Sequence, residues 1–194
     1  MTKLTSLIEV SDSILCIIDV QDFFLARIEA SAAKRLVERI QWLARVATWL
    51  DVPVVTTAED IATSGPTVHA IREVLPPAVV DLDKHVFGLA GQKNIFEVVR
   101  ATNRKTAVLC GLETDVCVQH SALGLLDHGY AVAVISDATA TTGSGQDIGI
   151  GRMRQAGAAI VSCKSLLFEW LRNLEKSHDF FKRSGIETPG DIDL

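Results

Sequence analysis

From Lys105 to Thr142 the chain reads KTAVLCGLETDVCVQHSALGLLDHGYAVAVISDATATT, and this stretch admits few folds. An apolar run (Thr106 to Cys110) leads to a tight turn at Gly111, a short polar loop, a helical pattern, a turn at Gly129 and a second apolar run (Ala131 to Ile135). Continuous apolar runs suit strands covered on both faces. Strands alternating with helices predict a parallel sheet with helices on either side.

The remaining chain repeats the alternation. SILCIID (13–19) is an apolar run ending in an acid, and apolar residues recur at helical spacing from Ser31 to Leu50. PVVTT (53–57) reads as a second strand, and a short helix covers Val68 to Leu75. A weaker strand spans Val79 to Leu82, and a helix follows from Asn94 to Arg100. After the central unit comes a glycine-rich loop (Gly143 to Gly151), with Asp147 in position to cap a helix through Ala156. A sixth strand (Ala159 to Ser162), a last helix (Leu166 to Leu174) and a polar arm complete the chain. The expectation is one α/β domain over 1–194, with a core at about 13–175 and an arm at 176–194. It is a three-layer α/β/α, Rossmann-like fold whose six-stranded parallel sheet runs 3-2-1-4-5-6. In that order the first and fourth strands meet at the switch point, where ligands bind outside the carboxyl ends of the strands. Asp19 and Cys117 thereby converge on one crevice.

Composition narrows the functions. A chain of 194 residues buries a sizeable core without disulfides. A net charge of −5 offers no electrostatic footprint for nucleic acid or an anionic membrane. No apolar run approaches the ~20 residues of a membrane span. The start, MTKLTSLIEVSDS, lacks an apolar h-region, so the protein is expected in the cytoplasm. The four cysteines, at 16, 110, 117 and 163, form no C-x-x-C pair, and three of them sit in or beside apolar runs as small buried hydrophobes.

Cys117 is the exception. It lies where loop becomes helix, and an amide-rich, dipole-positive helix start favours thiolate, the nucleophilic form. A thiol in that role needs a base, which Asp19 can be if the crevice raises its pKa. Lys84 could supply compensating positive charge, and backbone amides of LETDVC suit an oxyanion hole. Phe24, Phe87 and His120 are candidates for the wall of a substrate pocket; core packing for the rings and a surface place for His120 are the plainer alternatives. The glycines after Thr142 do not make a phosphate loop, because G-x-G-x-x-G fails at Ile148.

Three fragments, CIIDVQDFF (16–24), DKHVFG (83–88) and CGLETDVCVQHSALGLLDHGYAVAVISDATAT (110–141), resemble the isochorismatase-like cysteine hydrolases, which include nicotinamidases and N-carbamoyl amidases. The resemblance spans roughly residues 13 to 165. It implies Cys117 as nucleophile, Asp19 as general base and Lys84 in support of both charges. It further implies a cis peptide at Leu112–Glu113, with the amides of Glu113 and Cys117 as the oxyanion hole, and a homo-oligomer of two or more chains. Nicotinamidases of the family carry Asp-x-His-x-x-His after the second strand; here TTAEDIATSGPTVHA offers only Asp60 and a distant His69, so neither metal nor other cofactor is expected. Isochorismatases proper lack the cysteine and cleave a vinyl ether, so Cys117 points to carbonyl chemistry on a small amide, ureido or carbamoyl compound. A catalytically idle relative used for interaction, or a thiol-redox protein pairing Cys117 with Cys110, are the rival readings.

Overall fold

A computed structural model describes residues 7–194. The six residues that open the chain, read above as the start of a segment with no apolar h-region, lie outside the described residues. In chain order come β1 (Ser13–Ile18), α1 (Asp22–Leu25), α2 (Ala30–Trp49), β2 (Val54–Glu59), α3 (Ile61–Ser64), α4 (His69–Arg72) and β3 (Asp81–Lys84). They are followed by α5 (Lys93–Ala101), β4 (Thr106–Leu112), α6 (Gln119–Asp127), β5 (Ala131–Ala140), α7 (Gly145–Ala156), β6 (Ala159–Val161), α8 (Cys163–Leu171) and α9 (Leu174–Arg183).

The six strands form one sheet of order β3-β2-β1-β4-β5-β6, and every pairing is parallel. This is the expected doubly wound order. All six residues of β1 and all seven of β4 are buried, as central strands with apolar cover on both faces must be. Alternate side chains divide between two cores. Leu15 and Ile17 pack with α2, α8 and Phe180 of α9, while Ile14, Cys16 and Ile18 pack with α5, α6 and Met153 of α7. Among the described residues no helix is long and apolar enough to cross a membrane.

Several boundaries differ from the sequence reading, each for a physical reason. Gly111 is not a turn; it lies inside β4 at φ 116, where the register against β5 shifts. A Cβ there would collide with the Ile18 carbonyl oxygen on β1, so the close strand approach needs glycine. The glycine-rich loop is largely helix: α7 starts at Gly145 behind a Ser144 cap with no side-chain bond, and Asp147 lies inside its first turn. Gly145 and Gly149 face Asp115, and a Cβ on Gly149 would lie 2.9 Å from the Asp115 Cα. Small residues there let α7 press against the segment that carries Cys117. The segment expected as a polar arm begins with α9, whose Phe180 is fully buried and stacks edge-on against Trp49 at 5.2 Å. Beyond it Arg39 on α2 binds Asp191 at 3.0 Å, and Ile186, Ile192 and Leu194 pack on the core.

Candidate active site

Each strand of the first half-sheet ends in an ionisable residue at the same edge. Asp19 follows β1 directly, in the left-handed region at φ 52, and Glu59 and Lys84 are the last residues of β2 and β3. Glu59 and Lys84 are register partners, which sets their side chains beside each other. The Asp19 amide bonds the Thr57 carbonyl at 3.0 Å, tying its turn to β2. Across the switch point, β4 delivers the Cys117 segment.

Four side chains meet. Lys84 Nζ lies 2.9 Å from Asp19 Oδ2, 3.3 Å from Glu59 Oε2 and 3.6 Å from Cys117 Sγ, and it donates to the Val86 carbonyl at 2.9 Å. The contact with Asp19 is an ion pair outside hydrogen-bond geometry, since Oδ2 accepts no well-directed bond, while Oδ1 accepts from Thr57 Oγ1 at 2.9 Å. The Cys117 thiol donates to Glu59 Oε2 at 3.2 Å. Sequence reasoning missed Glu59 because PVVTT was read as ending two residues early. A strand-end acid opposite a strand-end lysine was the signal that could have found it.

Burial drives the electrostatics. It pushes the Asp19 carboxyl above its ordinary value against the pull of Lys84, Thr57 and Cys117, leaving a carboxyl ready to take a proton. Burial works against the Lys84 ammonium, but Asp19, Cys117 and Glu59 carry its pKa up. Burial, with Asp19 and Glu59 adding to it, also pushes the Cys117 thiol up, and Lys84 only partly opposes this. The preference for thiolate read from a helix start is therefore opposed here by burial and by two neighbouring carboxyls. The backbone explains part of the difference. Thr114–Val118 is a single π-turn, closed by Val118 N–H to the Glu113 carbonyl at 3.1 Å, so Cys117 lies within a turn and regular helix begins only at Gln119.

That turn is held from several sides. Thr139 Oγ1 donates to the Gly111 carbonyl and meets Thr114 Oγ1, which donates to Gln146 Oε1. Thr141 holds Asp115 at 2.6 Å, and Ser121 Oγ donates to the Cys117 carbonyl at 2.6 Å. Leu112–Glu113 is a cis peptide. Of the expected pocket residues, Phe87 and His120 stand together, rings 5.7 Å apart, and His120 Nδ1 donates to the Val116 carbonyl within the π-turn. Phe24 follows the plainer alternative of core packing. It is 8% exposed and packs in the core shared with α2, not in the one that holds Cys117. Cys16 and Cys110 are buried, and burial pushes the Cys16 thiol up to about 12.

Ligand atoms of Asp19, Glu59 and Cys117 lie within 4.8 Å of one another, a spacing that could hold a metal ion. The Lys84 ammonium occupies the point on which they converge, so the donor set is already matched to a cation of the protein's own.

The sequence model of the Isochorismatase domain matches residues 13–165. The chain belongs to the isochorismatase family. Among curated isochorismatase-family proteins it is 36% identical over 165 residues to the secreted isochorismatase effector Isc1 of Phytophthora sojae, covering 81% of this chain and 76% of that protein. Two solved structures share the fold. One is the YcaC gene product of Escherichia coli, an octameric hydrolase of unknown specificity, with a TM-score of 0.85 at 22% identity over 94% of this chain and 91% of that one. The other is YcaC from Pseudomonas aeruginosa with hexane-2,5-diol and covalent acrylamide, with a TM-score of 0.86 at 24% identity over 93% and 90%. The family and its fold support a hydrolase.

Proposed function

We propose that this isochorismatase-family protein is a metal-independent cysteine hydrolase that cleaves a small amide, ureide or carbamoyl compound through a thioester on Cys117. The observation that carries the reading is the Lys84 ammonium, 2.9 Å from Asp19 and 3.6 Å from the Cys117 sulfur. A buried cation between a carboxyl and a thiol stabilises the thiolate once the proton leaves. Asp19, whose burial raises its hold on a proton, is the general base. The sulfur attacks the carbonyl carbon, and the oxygen takes up negative charge toward the amides of Glu113 and Cys117. Collapse of the tetrahedral adduct breaks the C–N bond, and Asp19 returns the proton to the departing nitrogen. Water then adds to the thioester with Asp19 again as base, releasing the acid and restoring the thiol.

The octameric state of one structural relative supports a homo-oligomer here. The test is ammonia release across a panel of small amides and ureides, run with Cys117→Ala alongside. Turnover by the wild type and none by the variant, with an unchanged melting temperature, is the expected result. Activity within a few-fold of wild type in the variant would refute the mechanism. Prolonged chelation should leave turnover unchanged; loss on chelation with recovery on added zinc would show that a metal displaces Lys84.

A further inference from the structure

Three members of the cluster are closed to solvent: Asp19, Lys84 and Cys117 are 1%, 0% and 4% exposed. The Glu59 side chain is 25% exposed, so an entering molecule meets it first. Its position is fixed. Buried Gln21 grips the Glu59 backbone from both sides, accepting from its amide at 2.7 Å and donating to its carbonyl at 2.9 Å. Oε2 is taken up by Lys84 and the Cys117 thiol, while Oε1 holds no hydrogen bond among the described residues.

The charge is unbalanced. Two carboxylates, one ammonium and one thiol sum to one negative charge, wherever within the cluster the thiol proton sits. The neighbouring chain adds to it. Glu113 begins the turn that carries Cys117, and burial, then Asp115, push its carboxyl up, with Glu59 adding a smaller push and Arg27 opposing. Arg27 is exposed and lies over the Phe23 ring at 4.1 Å, and the Lys84 charge is already divided between Asp19 and Glu59. No cation of the cluster is left over for a substrate anion.

We infer that Glu59 determines specificity at this site: its outward oxygen accepts an N–H of an uncharged amide or ureide, and its charge turns away substrates that carry a carboxylate. This rests on the cysteine-hydrolase reading above. An amide or ureide N–H completes the hydrogen bonding of Oε1 and leaves the net charge unchanged. A carboxylate would bring a second uncompensated negative charge against Glu59, in a site where solvent screens it poorly.

The test uses two alkylating agents that differ in charge but not in chemistry. In each, the Cys117 sulfur displaces iodide from a methylene carbon to form a thioether; iodoacetamide is neutral and iodoacetate is an anion. Cys16, Cys110 and Cys163 are at most 1% exposed, and peptide mapping by mass spectrometry separates their labelling from that of Cys117. The preference of Cys117 for iodoacetamide should exceed that of 2-mercaptoethanol on the order of tenfold, the scale of one nearby charge. Glu59→Gln should bring the preference back to the 2-mercaptoethanol value, with Glu59→Ala in its place if that variant does not fold. A wild-type preference equal to that of 2-mercaptoethanol overturns the inference without any variant, as does a preference that survives loss of the Glu59 charge. If neutral amides are hydrolysed while the alkylation preference stays flat, the inference alone fails. If neither reagent labels Cys117, the reactive thiol fails and both readings fall.

Discussion

Lys84 sets the problem that the other site residues solve. Taking an ammonium out of water costs several kcal/mol unless anions meet it, and here Asp19 and Glu59 do. On the proposed mechanism Asp19 and Cys117 act as one proton-transfer unit, so their losses should not add. Asp19→Asn keeps the shape, removes the acceptor and should lower the rate by ~10²–10⁴. Added to Cys117→Ala, it should cost little more, because the covalent path is already gone. A double-mutant cycle on the best amide substrate measures this; near-normal turnover in Asp19→Asn would move the base to Glu59. The pH profile follows from the same burial. If Asp19 is the base, it works only deprotonated, and burial raises its pKa, so activity should be present at higher pH and lost as pH falls through a value above the ~3.9 of an ordinary aspartate. That apparent value belongs to the coupled cluster rather than to one residue. A kcat/KM profile flat down to pH ~4 would contradict the assignment, and Asp19→Asn should erase the acidic limb.

At the scale of elements, the site is made by how closely β1 and β4 approach. Gly111→Ala places a Cβ against the Ile18 carbonyl at positive φ, with backbone on both sides of the clash. It should destabilise by roughly 3 kcal/mol or more and lower activity with it. Gly129→Ala is the matched control: its φ is 82 but nothing lies within 4 Å, so only the left-handed penalty of ~1–2 kcal/mol applies. Equal melting temperatures for the two variants would show that strand approach is not what requires glycine. The sequence made β1 and β4 legible because a strand buried on both faces is apolar throughout. It made β3 hard to place, because DLDK is polar and its pairing comes from register with β2, displacing the expected strand by two residues toward Lys84. Lys84 thus ends a strand instead of following one. Asp19 and Cys117 were readable from strand ends and a topology rule. Glu59 was not, since its importance exists only once Lys84 lies beside it. The glycines of α7 read as loop because glycine is a poor helix former, and packing on Asp115 explains the place of Gly145 and Gly149.

For the whole molecule, the strand order followed from the alternation of patterns, but the outer surface did not. In the apolar run LLFEWL (166–171), Leu166, Leu167, Trp170 and Leu171 are buried, and Trp170 donates to Ser13 at 3.1 Å. Helical spacing turns those four inward and leaves Phe168 out. What α8 and α9 do expose is Phe168 at 40%, Leu174 at 76% and Phe181 at 45%. Large apolar side chains left on neighbouring helices are surface that a second copy can cover. Closed symmetry is the usual result, in which the same patch serves both partners. The expected outcome is a light-scattering mass at least twice the 21.0 kDa of the chain at micromolar concentration. Leu174→Asp combined with Phe181→Asp should shift it toward the single chain with little loss of melting temperature, because neither side chain is buried within the protomer. A 21.0 kDa species in the wild type would refute self-association. A variant that stays assembled would move the interface to another exposed apolar position, with Val80 beside the edge strand β3, 65% exposed, the next to change.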